Sequence, residues 1–441
     1  MKKTINIISL LALVITLFIV IISCGTGVKF NNILGSSSIG GGGGTGGNNL
    51  SFPLFFDGDN YEAFSSIVPT SDGGYFITGQ ASNGSTIDDA LFVKLNSNLT
   101  IAWSKLGSIG IRGTFGFENI ENGNPYYYAC GYANNNGFFI SKLNSDGTTN
   151  KIIYFSNDIT FILPLNTGTP ATSGIISNAG GISKFDFDLN PIWNISNLNW
   201  GDANFITSDN KTVGYVPYTS NDGWLVKINV SDNDVSNVIG SAQDAFIYGI
   251  SSVSFLGGIE GNNVFYFGFQ DNNQNKFYLI TTDSTLEKRN EVSINGNFNV
   301  SLVPDPSSNN VILALYDNTN NLVLFKLDSN LSTISKVKIN SFSPAYPTSI
   351  KVMYFIPLAS NFLIPGTFNS NGLIYTFGCN LNPPCGSTSL SNLTLQNTDN
   401  IQIDTTPIVD PTLQRGSITV NPANTATTDY PLTERDACPI N

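Results

Sequence analysis

Four short strand-like runs recur as a unit along most of this chain, and this repeat limits the folds that are open to it. In the clearest unit, residues 62–68, 75–79, 90–95 and 101–104 are rich in β-branched and aromatic side chains and are separated by turn formers such as Ser71-Asp72-Gly73-Gly74. Such runs bounded by Gly, Asn, Asp and Ser are strand and turn signals. The unit therefore predicts four consecutive antiparallel strands.

The third run of this unit returns along the chain in about seven copies. They are roughly 40 to 55 residues apart, which is the period of propeller blades. The copies lie at 92–95, 139–147, 182–186, 224–229, 278–283, 324–331 and 375–378. We therefore predict an all-β fold, a single β-propeller of seven four-stranded blades, with six or eight as the alternatives.

Three motifs of the first unit carry a resemblance to a known class of repeats. Ser71-Asp72-Gly73-Gly74-Tyr75, Lys94-Leu95-Asn96 and Trp103-Ser104-Lys105 resemble the tandem propeller-type repeats of many bacterial exported proteins. The resemblance covers most of the mature chain, although only the first unit matches at all three places and Trp193 recovers the fourth-strand Trp once more. It implies a fold and no single activity.

A lysine recurs in the third strand, which invites a functional interpretation. A lysine flanked by apolar residues on a strand more often extends its stem along the surface and keeps its charge in water, and we favour that interpretation here. The lysines are Lys94, Lys142, Lys184, Lys227 and Lys326.

An acidic residue also precedes an aromatic residue at the start of several predicted first strands. Glu62, Asp158, Asp202 and Asp244 occupy these positions. Because first strands line the channel of a propeller, the four carboxylates are candidates for a ring that holds Ca²⁺, a cation that prefers oxygen ligands. The alternative, which we favour, is that each acid caps the turn that leads into its own blade, with no cofactor.

Composition excludes several classes of function. The net charge is -12 and the chain has no His, so it offers neither the basic surface that nucleic acids require nor Ser-His or Cys-His catalytic pairs. Only carboxylates, Lys, Tyr and oxygen-coordinated cations remain for chemistry. We expect a protein that is not an enzyme and does not bind nucleic acid.

The N-terminus combines a cationic head, Met1-Lys2-Lys3, with an apolar run over residues 7–22, as in a secretory signal peptide. Ile21-Ile22-Ser23-Cys24 resembles the lipobox of bacterial lipoproteins, which implies cleavage before Cys24 and lipid attachment to it. An uncleaved membrane anchor is the alternative. Gly25 after the cysteine is typical of delivery to the outer membrane of a cell envelope with two membranes.

Four further cysteines suggest two disulfides in an exported chain, with three connectivities open. Cys379 and Cys385 are close enough in sequence to join one hairpin, and Cys438 would then pair with Cys130. Alternatively, Cys130 lies in an apolar run and is a small buried hydrophobic residue.

These patterns divide the chain into four parts. Residues 1–23 form the signal peptide, 24–49 a lipidated Gly- and Ser-rich tether, 50–395 the propeller, and 396–441 a tail that either straps the propeller or hangs loose. A strand near residues 50–56 is expected to complete the last blade.

Three functions stay open at this point. We prefer a membrane-tethered binding or scaffold lipoprotein of the cell envelope, with an unidentified protein or glycan as its ligand. The alternatives are a carbohydrate-active enzyme that works with carboxylates, and an outer-membrane assembly factor, for which the fold alone is the argument.

Overall fold

The computed structural model describes residues 54–436, with internal gaps of which the longest are 197–204, 341–355, 379–393 and 406–414. The strands of the described residues form seven antiparallel sheets, called sheets I to VII in chain order below. The prediction of an all-β propeller built from four-stranded repeats is confirmed, and each predicted third strand is the third strand of its sheet.

Sheets I to III follow the first described strand, β1 (Leu54–Asp57). Each of them is built from four consecutive strands. They are β2 (Tyr61–Pro69), β3 (Tyr75–Ser82), β4 (Asp88–Leu95) and β5 (Ile101–Gly107) in sheet I; β6 (Gly110–Glu121), β7 (Asn124–Ala133), β8 (Gly137–Leu143) and β9 (Thr149–Phe155) in sheet II; and β10 (Ile162–Leu165), β11 (Gly174–Ser177), β12 (Ile182–Phe185) and β13 (Pro191–Ile195) in sheet III.

Sheets IV to VI repeat this arrangement, and a short helix, α1 (Val235–Gly240), lies between the third and fourth strands of sheet IV. Sheet VII takes three strands from this part of the chain. The strands are β14 (Phe205–Ile206), β15 (Lys211–Pro217), β16 (Gly223–Asn229) and β17 (Gln243–Tyr248) in sheet IV; β18 (Val253–Glu260), β19 (Phe265–Asp271), β20 (Lys276–Thr282) and β21 (Lys288–Asn295) in sheet V; β22 (Asn299–Pro304), β23 (Val311–Tyr316), β24 (Asn321–Leu327) and β25 (Thr333–Asn340) in sheet VI; and β26 (Ile356–Pro357), β27 (Asn361–Phe368) and β28 (Asn371–Gly378) in sheet VII.

The first strand of each sheet contacts the first strand or inner strands of the next sheet, and sheet VII contacts sheet I through β2 and β27. The sheets therefore form a closed ring with the first strands innermost. Each sheet is covered by a neighbour on both faces, which explains why strands such as β3 and β23 are buried along almost their whole length. The sequence of β23 is accordingly a continuous apolar run.

The hairpin between the third and fourth strands has the same geometry in several sheets. In sheet III the Asp186 carboxylate accepts hydrogen bonds from the backbone N–H groups of Asp188 and Asn190, and Leu189 has a φ of +60°. The residue at the Leu189 position is a buried leucine with positive φ in four of these turns, because its side chain fills the space between two sheets. We call the end of the ring that carries these turns the turn face.

Both ends of the described chain complete sheet VII. Strand β1 pairs with β28 on one side and, on its other side, with β33 (Thr433–Asp436) near the C-terminus. The antiparallel register, Leu54 with Ile374 and Phe56 with Gly372, means that β1 runs away from the turn face. Closure of the ring therefore depends on residues from opposite ends of the sequence.

The described residues between 396 and 436, called the belt below, pass around the outside of the ring in the reverse of the chain order. Belt strands pair with the fourth strands of sheets V, IV, II and I, a single bridge joins Arg415 to Ile195 of sheet III, and β33 reaches sheet VII. The belt strands are β29 (Gln396–Asn397), β30 (Gln402–Asp404), β31 (Asn421–Ala423), β32 (Thr427–Asp429) and β33. The belt thus adds an outermost strand to most sheets.

Candidate functional site

The acidic residues predicted to form a calcium ring do not meet in the part of the chain that the structure describes. Glu62 lies at the start of the innermost strand β2, as expected, and its carboxylate accepts a hydrogen bond from the Tyr430 hydroxyl of the belt. Asp244 lies in β17, the fourth strand of sheet IV, so its predicted place in a first strand is wrong. Asp158 and Asp202 lie outside the described residues.

No group of three or more acidic, Cys or His side chains suited to a metal is present among the described residues. The error for Asp244 has a local cause. The helix α1 lengthens the connection before β17, so a fourth strand begins where the repeat spacing favours a first one.

Cys130 is a free thiol, buried in β7 of sheet II. The predicted disulfide between Cys130 and Cys438 is therefore not formed, and the alternative, a small buried residue, describes Cys130 correctly. Its sulfur lies 3.4 Å from the Thr114 hydroxyl. Cys24, Cys379, Cys385 and Cys438 lie outside the described residues.

Burial raises the pKa of the Cys130 thiol to about 12, and a thiol that stays protonated is a poor nucleophile. We expect iodoacetamide at pH 8 to leave Cys130 unmodified in the folded chain and to alkylate it in denaturant, as measured by peptide mass spectrometry. Rapid alkylation of Cys130 without denaturant would contradict the packing described here.

Four of the five recurrent third-strand lysines are buried and the fifth, Lys326, has 13% of its side chain exposed, so the expectation that they keep their charge in water is wrong. Lys94, Lys142, Lys184 and Lys227 are at most 4% exposed. Each ammonium group binds acidic side chains or carbonyl oxygens of turns. The Lys94 Nζ, for example, donates to the Asp72 carboxylate at 2.8 Å and to the Leu95 carbonyl, and so fixes the turn between the first two strands.

Some of these lysines also join neighbouring sheets. Lys227 of sheet IV donates to the Ser284 carbonyl of sheet V at 3.1 Å. Lys184 of sheet III donates to the carbonyls of Val230, Ser231 and Asp232 in sheet IV at 3.1 to 3.2 Å. The Trp193 indole also donates to the Asp232 carbonyl. The lysines are therefore parts of the scaffold.

Burial lowers the pKa of Lys184 to about 8, although the charge of Asp232 acts in the opposite direction. Between about pH 8 and 10.5 the folded chain then holds fewer protons at this group than the unfolded chain, so the free energy of unfolding rises with pH. We expect the difference in this free energy, wild type minus Lys184→Met, to increase by about 1.5 kcal/mol from pH 8 to 9.5. Urea denaturation at both pH values measures it, and a constant difference would contradict the assignment.

The most distinctive surface feature of the turn face is the hairpin of β6 and β7. Tyr127 pairs with Leu143, the last residue of β8, so Asn124 to Tyr126 extend past the third strand by about 10 Å at ~3.3 Å per residue. Asn122 and Gly123 form the tip with φ values of +51° and +83°. An Asn-Gly pair of this kind is the strongest short hairpin signal in a sequence. In sheet I, by contrast, the first hairpin ends at the level of the third strand.

An ionic cluster holds this hairpin against sheet III. The Lys142 Nζ donates to Glu121 at 2.7 Å and to Asp188 of sheet III at 3.1 Å, and lies 4.4 Å from the centre of the Tyr126 ring. Burial alone would lower the pKa of Lys142, but these carboxylates outweigh it and raise the pKa. The Tyr128 hydroxyl donates to Glu121 and lies 2.6 Å from the Phe187 carbonyl.

A second cluster supports the other side of the hairpin, facing sheet I. Burial raises the pKa of the Glu118 carboxyl. Burial acts in the same direction on Asp72, but hydrogen bonds from Lys94, Thr70 and Gly74 outweigh it and lower the pKa of Asp72. A carboxylate pair with pKa values shifted apart is a pattern of acid–base catalysis. Here, however, Glu118 accepts the Ser71 N–H and Asp72 binds Lys94, so both carboxylates serve the scaffold.

The clusters leave the hairpin rigid and its outer surface available. Ile120 is 45% exposed and pairs with Pro125, next to a tip of asparagines. The half-buried Tyr126 lies over Lys142. Fixed aromatic, aliphatic and amide groups of this kind suit the recognition of a protein or a glycan. The repeat does not predict this hairpin, because the third strand carries the repeat, although Asn122-Gly123 is a hairpin signal in the sequence.

In the described residues no helix has the length and apolar character needed to cross a membrane. No protein-family model and no curated protein sequence matches the chain. Among solved structures, it is similar to an uncharacterized protein of Listeria monocytogenes EGD-e, with a TM-score of 0.40 and 12% identity over 74% of this chain and 97% of that one. It is also similar to the Nup133 β-propeller domain of Vanderwaltozyma polyspora, with a TM-score of 0.35 and 10% identity over 73% and 98% of the two chains. A prolyl endopeptidase matches with a TM-score of 0.36 and 8% identity, over 78% of this chain and 50% of its own. These values are too low to assign a function.

Proposed function

We propose that the chain is a lipid-anchored protein of the bacterial cell envelope, and that its propeller binds a membrane-associated protein or glycan through the β6–β7 hairpin. The observation that carries the binding role is the projection of this hairpin, whose exposed Ile120 stands on a base fixed by two ionic clusters. Buried charged side chains hold this hairpin rigid, and a rigid surface loses little conformational entropy when it binds.

The lipobox-like residues that end at Cys24 support the anchoring role. Two or more acyl chains on one residue give stable attachment to a membrane. The tether of residues 24–49 would then join β1, which runs away from the turn face. This direction supports an arrangement in which the hairpin and the lipid lie on the same side of the ring, and it favours a partner at the membrane surface.

Two exposed hairpin side chains test the binding role. We expect the full-length variant Ile120→Ser/Asn124→Ala to retain at least tenfold less envelope material than the wild type in a pull-down from detergent extracts, with an unchanged melting temperature, because both side chains are exposed. Ile334→Ser is the matched control, because Ile334 is 53% exposed on β25, away from the hairpin. Equal retention by the hairpin variant and the wild type would contradict the role of the hairpin.

Palmitate labelling and intact mass of the membrane-extracted protein test the anchor. We expect Cys24→Ala to lose both the label and membrane retention, because no other residue would carry the acyl chains. If the variant keeps its mass and its membrane retention, the N-terminal run is an uncleaved anchor.

A further inference from the structure

The belt is held to sheet V by side chains as well as by strand pairing. Among the described belt residues, Gln396 and Asn397 pair with β21 and the Thr398 N–H donates to the Glu291 carbonyl at 3.3 Å, after which Asp399 to Ile401 leave the sheet. They contact Glu291 and Lys288 of β21. This short segment is therefore recognised in the way that a protein recognises a bound peptide.

Glu291 provides the central contact. Its side chain is fully buried, and its two oxygens accept hydrogen bonds from the Thr398 hydroxyl at 2.6 Å and from the backbone N–H groups of Asn400 and Ile401 at 2.9 Å each. Successive N–H groups of an extended strand point to opposite sides, so a carboxylate that accepts two consecutive N–H groups selects one turn-like backbone conformation. Charge-assisted hydrogen bonds are about twice as strong as neutral ones.

Further contacts hold Asp399, Asn400 and Ile401 of the segment. The Lys288 Nζ lies 2.6 Å from the exposed Asp399 carboxylate and also donates to the Ile401 carbonyl. Ile401 is fully buried in the core between sheets IV and V. Asn400 donates to the Tyr278 hydroxyl at 3.3 Å.

The backbone of sheet IV is shaped to admit the segment. Gly249 has a φ of +95°, and a Cβ atom there would lie 2.2 Å from the Asn400 carbonyl oxygen. A residue with a side chain would displace the belt at this point. The site thus combines a buried acid, a lysine, an apolar pocket and a glycine that lets the peptide backbone approach.

We propose that this edge of sheet V is a binding site for a short peptide of the form Thr-Asp-Asn-aliphatic, with the chain's own belt as its resident ligand and the belt of a second copy as its ligand in trans. An exchanged belt makes the same contacts in either copy, so exchange costs little in contact energy. The proposal goes beyond the hairpin function and does not depend on it.

A labelled peptide with the sequence of residues 396–404 tests the site in full-length protein. Asp399→Lys places a positive charge beside Lys288 and changes only an exposed side chain, so it weakens the resident belt while the fold is checked by circular dichroism. By fluorescence anisotropy we expect Asp399→Lys to bind the wild-type peptide at least tenfold more tightly than the wild-type chain, whose site is occupied.

Two controls make the result specific. The double variant Asp399→Lys/Glu291→Gln is expected to lose the peptide, and a peptide with Lys at the Asp399 position is expected to bind at least tenfold more weakly to Asp399→Lys. If Asp399→Lys does not fold, Thr398→Ala, which removes one donor to Glu291, takes its place with the same expected result. Absence of capture by a folded variant, or capture that does not depend on Glu291, would overturn the proposal.

Discussion

Replacing Lys326 by Met is expected to lower the free energy of unfolding by about 3 to 5 kcal/mol, the cost of removing one partner of a buried ion pair. The Lys326 Nζ lies 2.6 Å from Asp305, and the Asp305 side chain is fully buried. Methionine fills a volume close to that of lysine, so the main loss is the ammonium group beside a carboxylate that water cannot reach. Urea denaturation at pH 7 measures the change.

Two comparisons separate this charge effect from packing. Lys326→Met/Asp305→Asn is expected to recover more than half of the loss, because the remaining amide is neutral. Lys105→Met is expected to cost less than about 1 kcal/mol, since its partner Asp429 is 89% exposed and surface ion pairs contribute little. If Lys326→Met costs no more than Lys105→Met, Asp305 does not depend on the ammonium group.

Replacing Gly147 by Leu is expected to destabilise the chain by about 3 kcal/mol through overpacking. Gly147 occupies the position that buried leucines with positive φ, such as Leu189, hold in other turns, so the conformation itself tolerates leucine. The obstacle is Trp103 of sheet I, whose ring lies 2.7 Å from the place of a Cβ atom at Gly147. Thermal and urea denaturation measure the loss.

A compensating change at Trp103 tests this explanation. Lys151 occupies the corresponding fourth-strand position beside the Leu189 turn, and its Nζ donates to the Asp188 carbonyl. We therefore expect Trp103→Lys/Gly147→Leu to be more stable than the sum of the two single changes implies, with a coupling of about 1 to 2 kcal/mol in a double-mutant cycle. Gly123→Leu is the control, because a Cβ atom at Gly123 meets nothing within 4 Å. If the effects of the two changes simply add, the Trp103 ring does not occupy the space that the leucine side chain fills in the other turns.

The sequence predicts the ring because the third strand is buried on both faces and keeps its apolar pattern in every sheet. The same apolar pattern led to the wrong prediction that the third-strand lysines keep their charge in water. A side chain flanked by apolar residues does not reveal that an acidic residue from another turn meets its ammonium group. A readable signal existed, since Asp72, Asp209 and Asp305 lie between the first and second strands of sheets that carry the lysine.

The belt could not be derived from local pattern. Its strands are two to four residues long, too short for an alternation of apolar and polar residues to be read. Their positions follow from the closed ring, which presents one outer edge after another to the returning chain. Asp244 was misplaced for a related reason, because α1 shifts the register of the repeat by one strand.

The closure of sheet VII restricts the order in which the strands of the protein can pair. Ribosomes release a chain from its N-terminus, so β1 is the first of the described strands to appear, yet its partners β28 and β33 are among the last. Sheets I to VI are each built from four consecutive strands and are able to form without residues from the other end of the chain. The pairing of β1 is complete only when nearly the whole chain is present. Any product truncated before residue 433 therefore leaves at least one edge of β1 unpaired, and an open strand edge invites aggregation.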